Sequence, residues 1–458
     1  MKKDSDMTAR SQNQTSAPAL RKVISAAAMG NFVEWFDFAV YGFLATIIAS
    51  QFFPSDSVSL GLLKTFGVFA VAFAMRPLGG IFFGVLGDRL GRKGVLSLTI
   101  LMMAGATTLI GLLPSHASWG IVAPVLLTFL RCLQGFSAGG EYAGSIAYVM
   151  EHAPNDRRGW YGSFIPVSTF TAFASAALLV FALESSLSSE AMTAWGWRVP
   201  FLLAAPLGLV GLYLRWRMEE TPAFKALAAA DNTHAHSPLR ETLKSQSRSM
   251  LQLGAFISVT ALSFYMFTTY FSTYLQVAGG FTRSRALMVT MIALVFAALF
   301  CPVAGRISDR IGRRNTIRAV CAWLFIMVVP AYLLASSGVL WKAIPGVILL
   351  ATGALTANVV TATLLSETFP TRTRYTASAF TYNISYTIFG GTAPLMATWL
   401  IDTTGNNLAP AFYLMIIAVL AGIGGLALRE TSRISLMDDV APAPDADMPL
   451  YSAQQVAR

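Results

Sequence analysis

Four polar residues in one apolar stretch, Asn31, Glu34, Asp37 and Tyr41, follow one another at steps of three, three and four residues, which puts them along one side of a helix. A second stripe at helical spacing, Arg131, Gln134, Ala138, Glu141 and Ser145, lies in another apolar stretch beside Gly135, Gly139, Gly140 and Gly144, which permit close helix approach. Charged groups inside a hydrophobic span are costly unless paired or solvated, so each of these carboxylates is a candidate for carrying a proton. Glu34 and Asp37 are close enough to disfavour double ionisation, as a site that takes up and releases protons requires. One of the two is expected to carry the coupled proton, with Glu141 as a further candidate. The alternative for either is an ion pair with Arg76 or Arg131 that holds helices together. Arg131 suits either a substrate carboxylate or the stabilisation of an ionised neighbour.

The later apolar stretches carry neutral polar and aromatic groups instead. These are Tyr265, Thr269, Tyr270 and Tyr274, then Asn358 and Thr361, then Tyr382, Asn383 and Tyr386. Candidate substrate contacts are Asn31, Tyr41, Arg131, Gln134, Tyr265, Tyr270, Asn358, Tyr382, Asn383 and Tyr386. The competing reading for each tyrosine is packing or interfacial anchoring. A trianion calls for several cations, whereas a zwitterion needs one cation for its carboxylate and carboxylates or aromatic faces for its ammonium. The balance favours a zwitterion.

These residues need helices that cross a bilayer. The chain has 458 residues, of which 55% are hydrophobic and only 12% charged, with a mean hydropathy of +0.58, too apolar for a soluble domain of this size. Apolar stretches predict twelve spans near 22–50, 62–87, 94–113, 118–150, 160–184, 197–215, 250–276, 286–305, 316–336, 342–366, 374–401 and 408–428. The expected architecture is all-α, with twelve transmembrane helices in two pseudo-symmetric six-helix bundles, 22–216 and 250–429. Between them lies a linker over 217–249, and tails of 1–21 and 430–458 flank the bundles.

The net charge of +10 does not point to nucleic acid, because the basic residues sit at span ends and form no continuous face. Lys64, Arg198, Arg283, Arg285 and Lys342 fall on one side of the predicted topology, Arg76 and Arg131 fall within spans, and the rest fall on the other side. The positive-inside rule makes that second side cytoplasmic, with both termini and the linker. The protein is thus expected in the plasma (inner) membrane, with the lipid bilayer, a small solute and protons as partners, and functional as a monomer. Cys132, Cys301 and Cys321 stand alone in apolar sequence, and His234 and His236 read as solvated linker residues. No metal or cofactor is expected. No nucleophile and base pair or phosphate loop points to a membrane enzyme.

Two motifs occur twice. Gly84, Asp88, Arg89, Gly91 and Arg92 recur at a constant offset as Gly305, Asp309, Arg310, Gly312 and Arg313, between the second and third spans of each half. Glu151, Pro154 and Arg158 recur as Glu367, Pro370 and Arg374 after the fourth span. An Asp at a span end can sit at the N-terminus of a neighbouring helix and against a nearby Arg, forming a latch that closes one face. The alternative is that these loops only cap helices and set topology. The duplication favours gating, with Gly84, Asp88, Arg89, Arg92, Glu151, Arg158, Gly305, Asp309, Arg310, Arg313, Glu367 and Arg374 as the gate.

On these loops the chain resembles the major facilitator superfamily. The stretches Gly30-Asn-Phe-Val-Glu-Trp-Phe-Asp-Phe-Ala-Val-Tyr-Gly-Phe, Arg76-Pro-Leu-Gly-Gly, Gln134-Gly-Phe-Ser-Ala-Gly-Gly-Glu-Tyr, Trp195-Gly-Trp-Arg-Val-Pro-Phe and Glu219-Glu-Thr-Pro-Ala-Phe resemble its metabolite:proton symporter family. Gly140-Glu-Tyr-Ala-Gly-Ser and Ala409-Pro-Ala-Phe-Tyr-Leu-Met are most similar to the proline/betaine branch, whereas Phe264-Tyr-Met-Phe-Thr-Thr-Tyr is equally like the 2-oxoglutarate branch. The resemblance implies uptake by proton symport and alternating access, of a zwitterion such as proline or glycine betaine. Its alternatives are an organic acid such as 2-oxoglutarate, citrate or shikimate, or a drug:proton antiporter on the same fold.

Overall fold

The structure is a computed structural model that describes residues 17–90, 92–216, 239–370, 374–432 and 434. All regular secondary structure among them is helical. The first half contains α1 (Ala17–Phe43 continued by Ala45–Phe52), α2 (Val58–Ala74 continued by Arg76–Leu90), α3 (Arg92–Leu112), α4 (Val122–Ser137 continued by Glu141–His152), α5 (Arg158–Ser186) and α6 (Ser189–Tyr213). The second contains α7 (Leu239–Tyr265 continued by Phe271–Val277), α8 (Arg283–Ile311), α9 (Arg313–Ala335), α10 (Leu340–Glu367), α11 (Arg374–Ser385 continued by Ala393–Thr404) and α12 (Ala409–Leu426). Among the described residues nine helices are long and apolar enough to span a bilayer, and the bent α1 makes a tenth. The shorter apolar helices Ser97–Leu112 and Val122–Ser137 belong to α3 and α4, so each half has six spans.

Two expected boundaries differ. Helix α7 starts at Leu239, inside the stretch read as linker, because the polar residues from Arg240 to Ser249 include good helix formers and extend the span beyond its apolar part. The C-terminal tail read from 430 onward starts with residues that dock on the protein, as described below. His234 and His236 lie outside the described residues.

Several spans are broken where the site will lie. Helix α1 bends by 63° between Phe43 and Ala45, one residue after Gly42, whose added Cβ would stand 2.6 Å from the Thr269 methyl of α7. Helix α7 opens into a π turn at Met266–Tyr270 and α11 into another at Tyr386–Gly391, irregularities of the kind that bend helices and re-aim side chains.

Small residues let the backbones touch. A Cβ on Gly135 of α4 would stand 1.8 Å from the Ala72 carbonyl oxygen, and one on Gly79 of α2 would stand 1.7 Å from that of Phe136, so α2 and α4 pack at backbone contact. Between the halves, α5 lies along α8, and α2 faces α11. The outer surface exposes large apolar side chains, including Leu299, Ile326, Ile416 and Ile423, a belt that only lipid tails can cover.

Candidate functional site

The buried charges separate into two groups, a central one on the first half and a second at the face that carries the Asp-Arg loops. At the centre, Glu34, Asp37, Arg76 and Arg131 are each almost fully buried. Glu34 Oε1 accepts a 3.1 Å charge-assisted bond from Arg76 Nη2 of α2. The Arg76 guanidinium lies over the rings of Trp35, Phe38 and Phe73, with Cζ 5.1–5.7 Å from their centroids, a cation–π setting. Glu34 is therefore held in an ion pair that faces the second half, since Trp35 and Phe73 both pack against Tyr265.

Asp37 turns to a different neighbour. Its Oδ2 accepts from the Thr107 hydroxyl of α3 at 2.8 Å. The Thr107 oxygen in turn accepts from Gln134 Nε2 at 2.5 Å, and Gln134 Oε1 accepts from Arg131 Nη1 at 2.9 Å. Arg131 and Asp37 are thus joined through two neutral side chains. The Arg131 guanidinium stacks on Tyr41, with Cζ 4.0 Å from the ring centroid, while the Tyr41 hydroxyl donates to the Thr65 carbonyl oxygen at 2.9 Å. Arg131 Nε and Nη2, which share one edge of the guanidinium, have no hydrogen-bond partner among the described residues. That edge matches the two oxygens of a carboxylate.

Asn31 lies apart from this centre. Its Nδ2 donates to Ser168 Oγ at 2.8 Å and Thr169 Oγ1 at 2.7 Å, and its Oδ1 accepts from Trp35 Nε1 at 2.9 Å. The amide is used to fasten α1 to α5. The expected single polar stripe is therefore a fan, because each three-residue step falls about 60° short of a full turn. Asn31 looks at α5, Glu34 at α2 and Asp37 at α3.

The second half closes over this centre with rings. Tyr386 stacks on Tyr382 at a centroid distance of 4.0 Å, and Tyr382 stacks on Tyr142 of α4 at 4.7 Å. Tyr386 donates to Asn358 Oδ1 at 3.2 Å. Tyr265 meets Phe69 and Phe73 edge to face, and its hydroxyl neighbours Arg76. Tyr270 packs edge to face on Phe66. Asn383 sits at the junction of α11 with α4, where its Nδ2 donates to the Gly139 carbonyl oxygen at 2.6 Å. The structure thus brings Tyr265, Tyr382 and Tyr386 together and uses Asn383 to join the halves.

The second group ties the two halves together. Asp309 at the end of α8 accepts from the backbone N–H groups of Gly159 at 2.8 Å and Trp160 at 2.9 Å, the free donors at the N-terminus of α5. Gly305 supports that approach, since a Cβ there would stand 2.3 Å from the Gly159 carbonyl oxygen. Arg313 donates to Asp309 at 3.0 Å and grips Glu367 with both Nε (3.0 Å) and Nη2 (2.9 Å). Arg158 of the first half reaches the same carboxylate at 3.7 Å. Arg374 is buried beside them, with Nε donating to the Phe369 carbonyl oxygen at 3.3 Å, whereas Arg310 is exposed.

Residues after α12 cover this network. The Thr431 hydroxyl donates to Glu367 at 2.8 Å, and the Ile434 carbonyl oxygen accepts from Arg158 at 2.6 Å. The exposed Glu430 carboxylate takes the N-terminal N–H groups of α9 from Arg313 and Arg314, at 2.8 and 3.0 Å. Partial burial would raise the proton affinity of Glu430, but the backbone donors of Arg313, Arg314 and Ser432 outweigh it and hold the carboxyl below its usual range.

The side chains of Gly84, Asp88, Arg89, Arg92, Glu141 and Glu151 lie outside the described residues. Four central residues were not singled out for the site by the sequence. Arg76 was recognised only as a possible ion-pair partner, and its cationic side chain inside a span was the available signal. Thr107, Trp35 and Thr65 carry no signal of their own, because a lone hydroxyl or indole in an apolar span is ordinary.

A family model described as Major Facilitator Superfamily matches residues 27–394. The chain is 38% identical over 435 residues to a proline/betaine transporter of Salmonella typhimurium, covering 93% of this chain and 87% of that one. It is 36% identical over 452 residues to an ectoine/proline transporter of Corynebacterium glutamicum, covering 95% and 89%. Its fold is similar to that of a solved proton:xylose symporter of the same superfamily, with a TM-score of 0.71 at 17% identity over 93% of this chain and 99% of the other. The chain therefore belongs to the major facilitator superfamily and is a multi-pass membrane transporter of small solutes.

Proposed function

We propose that this transporter takes up a small carboxylate-bearing zwitterion, such as proline or glycine betaine, together with a proton. The observation that carries the reading is the unpaired Nε and Nη2 edge of buried Arg131, connected by hydrogen bonds to Asp37. A substrate carboxylate on that edge and a proton on Asp37 would then be sensed by one network. The second central cation, Arg76, is paired with Glu34, so among the described residues Arg131 is the central cation without a directly paired carboxylate, which suits one substrate carboxylate and counts against a tricarboxylate. The rings of Tyr265, Tyr382 and Tyr386 offer faces to a substrate ammonium. The names of the relatives, two of which are transporters of proline with betaine or ectoine, support the same substrate class.

Alternating access follows from the gate. The Asp309, Arg313, Glu367 and Arg158 network ties the halves together on one face, and release of that tie would open it. By the positive-inside rule this face is cytoplasmic, with both termini, in the inner membrane of a bacterium. In this scheme Glu34 holds helices together and Asp37 carries the proton, with the polypeptide acting as a monomer and without a cofactor.

The test is uptake of labelled proline and glycine betaine into proteoliposomes under an imposed proton gradient. Wild type should accumulate at least one of them, and Asp37→Asn should lose the gradient-driven component. Arg131→Met should weaken apparent affinity by about 30-fold or more, from a loss of about 2–5 kcal/mol at a buried charge-assisted contact. Indifference of wild-type uptake to the gradient would refute symport.

A further inference from the structure

We propose that Thr107 is the positioning residue that couples proton occupancy of Asp37 to the cationic edge of Arg131. This inference rests on the symport reading and assigns the connection within that site. The Thr107 side chain is fully buried and has one proton but two acceptors within reach, Asp37 Oδ2 and the Met103 carbonyl oxygen, both at 2.8 Å. The same oxygen accepts from Gln134. With Asp37 ionised, every donor in the series points toward it: Arg131 N–H to Gln134, Gln134 N–H to Thr107, Thr107 O–H to Asp37. The positive charge of Arg131 is thereby felt at the carboxylate without a direct ion pair, through aligned dipoles in a water-poor interior.

Protonation of Asp37 reverses one link. The carboxylic acid becomes a donor, the Thr107 oxygen accepts its proton, and the Thr107 O–H turns to the Met103 carbonyl oxygen. No covalent bond changes at Thr107, and the transported proton enters and leaves on Asp37 alone. With the carboxylate neutralised, Arg131 loses the anion that its Gln134 and Thr107 bonds served, and its charge is left for the substrate carboxylate. Proton binding thus strengthens substrate binding, and reciprocity requires that substrate binding raise the occupancy of the proton. The charged groups facing Asp37 are Arg131 from α4 and Glu34 from its own helix, and the latter is held by Arg76. A hydroxyl meets the requirement at position 107, because one oxygen can donate in one state and accept in the other, whereas an apolar side chain of the same shape can do neither.

The experiment compares Thr107→Val, which keeps the shape, with Thr107→Ser, which keeps the hydroxyl, in the full chain in proteoliposomes. Gradient-driven accumulation of labelled proline or glycine betaine is measured beside counterflow of the same solute without a gradient. Thr107→Val should lose about tenfold more of the driven accumulation than of the counterflow, and Thr107→Ser should restore the wild-type ratio. An unchanged ratio in Thr107→Val, or equal loss in the valine and serine variants, would overturn the coupling role and leave symport standing. Absence of gradient-driven accumulation in wild type would instead overturn symport, and this role with it.

Discussion

The two halves share a fold and a repeated loop but differ at their centres. Every charged side chain buried at the centre among the described residues, Glu34, Asp37, Arg76 and Arg131, belongs to the first half. The second half presents Tyr265, Tyr382, Tyr386, Asn358 and the paired hydroxyls of Thr260 and Thr361, 2.9 Å apart. Its buried charges, Arg313, Glu367 and Arg374, lie at the gate. The duplicated bundle has thus diverged at its centre: one copy keeps buried charges there and the other keeps neutral polar and aromatic groups. A neutral, aromatic second half can move across the charged one without breaking a central ion pair, since the Glu34 and Arg76 pair lies within the first half.

That contrast breaks first at the Glu34 and Arg76 pair. Glu34→Gln leaves a buried guanidinium without its carboxylate and should cost about 3–5 kcal/mol of stability, read as a lowered unfolding midpoint in detergent. The double variant with Arg76→Met should recover most of that loss. A smaller effect is expected from the neutral side: Tyr386→Phe removes one hydrogen bond to Asn358 and should weaken apparent solute affinity by roughly fivefold, about 1 kcal/mol. A loss as large as that of Arg131→Met would show that the second half is more than a wall.

The smallest effect belongs to the gate. Glu430→Gln should lower stability by about 1 kcal/mol or less, because the carboxylate is exposed. A carboxyl held below its ordinary value stabilises fully above the unfolded-state pKa of about 4.3 and stops doing so as pH falls through its lower folded-state value. The gap between wild type and variant should therefore be constant at neutral pH and close on acidification below about pH 4.

Much of this was legible in the sequence for a physical reason. Membrane-length apolar runs and basic span ends are strong constraints, so twelve spans and two halves could be read directly, and the repeated Asp-Arg loops pointed to Asp309 and Arg313 as a pair of interest. Spacing also identified Glu34, Asp37 and Arg131 as buried charges. It did not give their partners. Periodicity fixes the side of a helix only within a slanting stripe, so Asn31 and Asp37 share a pattern yet end on different neighbours. Thr107 was invisible because its role arises from three helices meeting, and Arg76 stood out only as a charge in a span. Glu430 and Thr431 lay just past the last apolar run, where composition says tail and only packing says otherwise.

The backbone contact of Gly159 with Gly305 sets how this junction of the two halves would yield. Dispersion between touching atoms loses a quarter to a half of its strength over a gap of about 0.5–1 Å, and the Asp309 bonds to Gly159 and Trp160 lengthen with the same displacement. Resistance to opening is therefore concentrated in the first ångström of travel. The joint behaves as a detent: seated it holds, and once unseated its contacts fall away together.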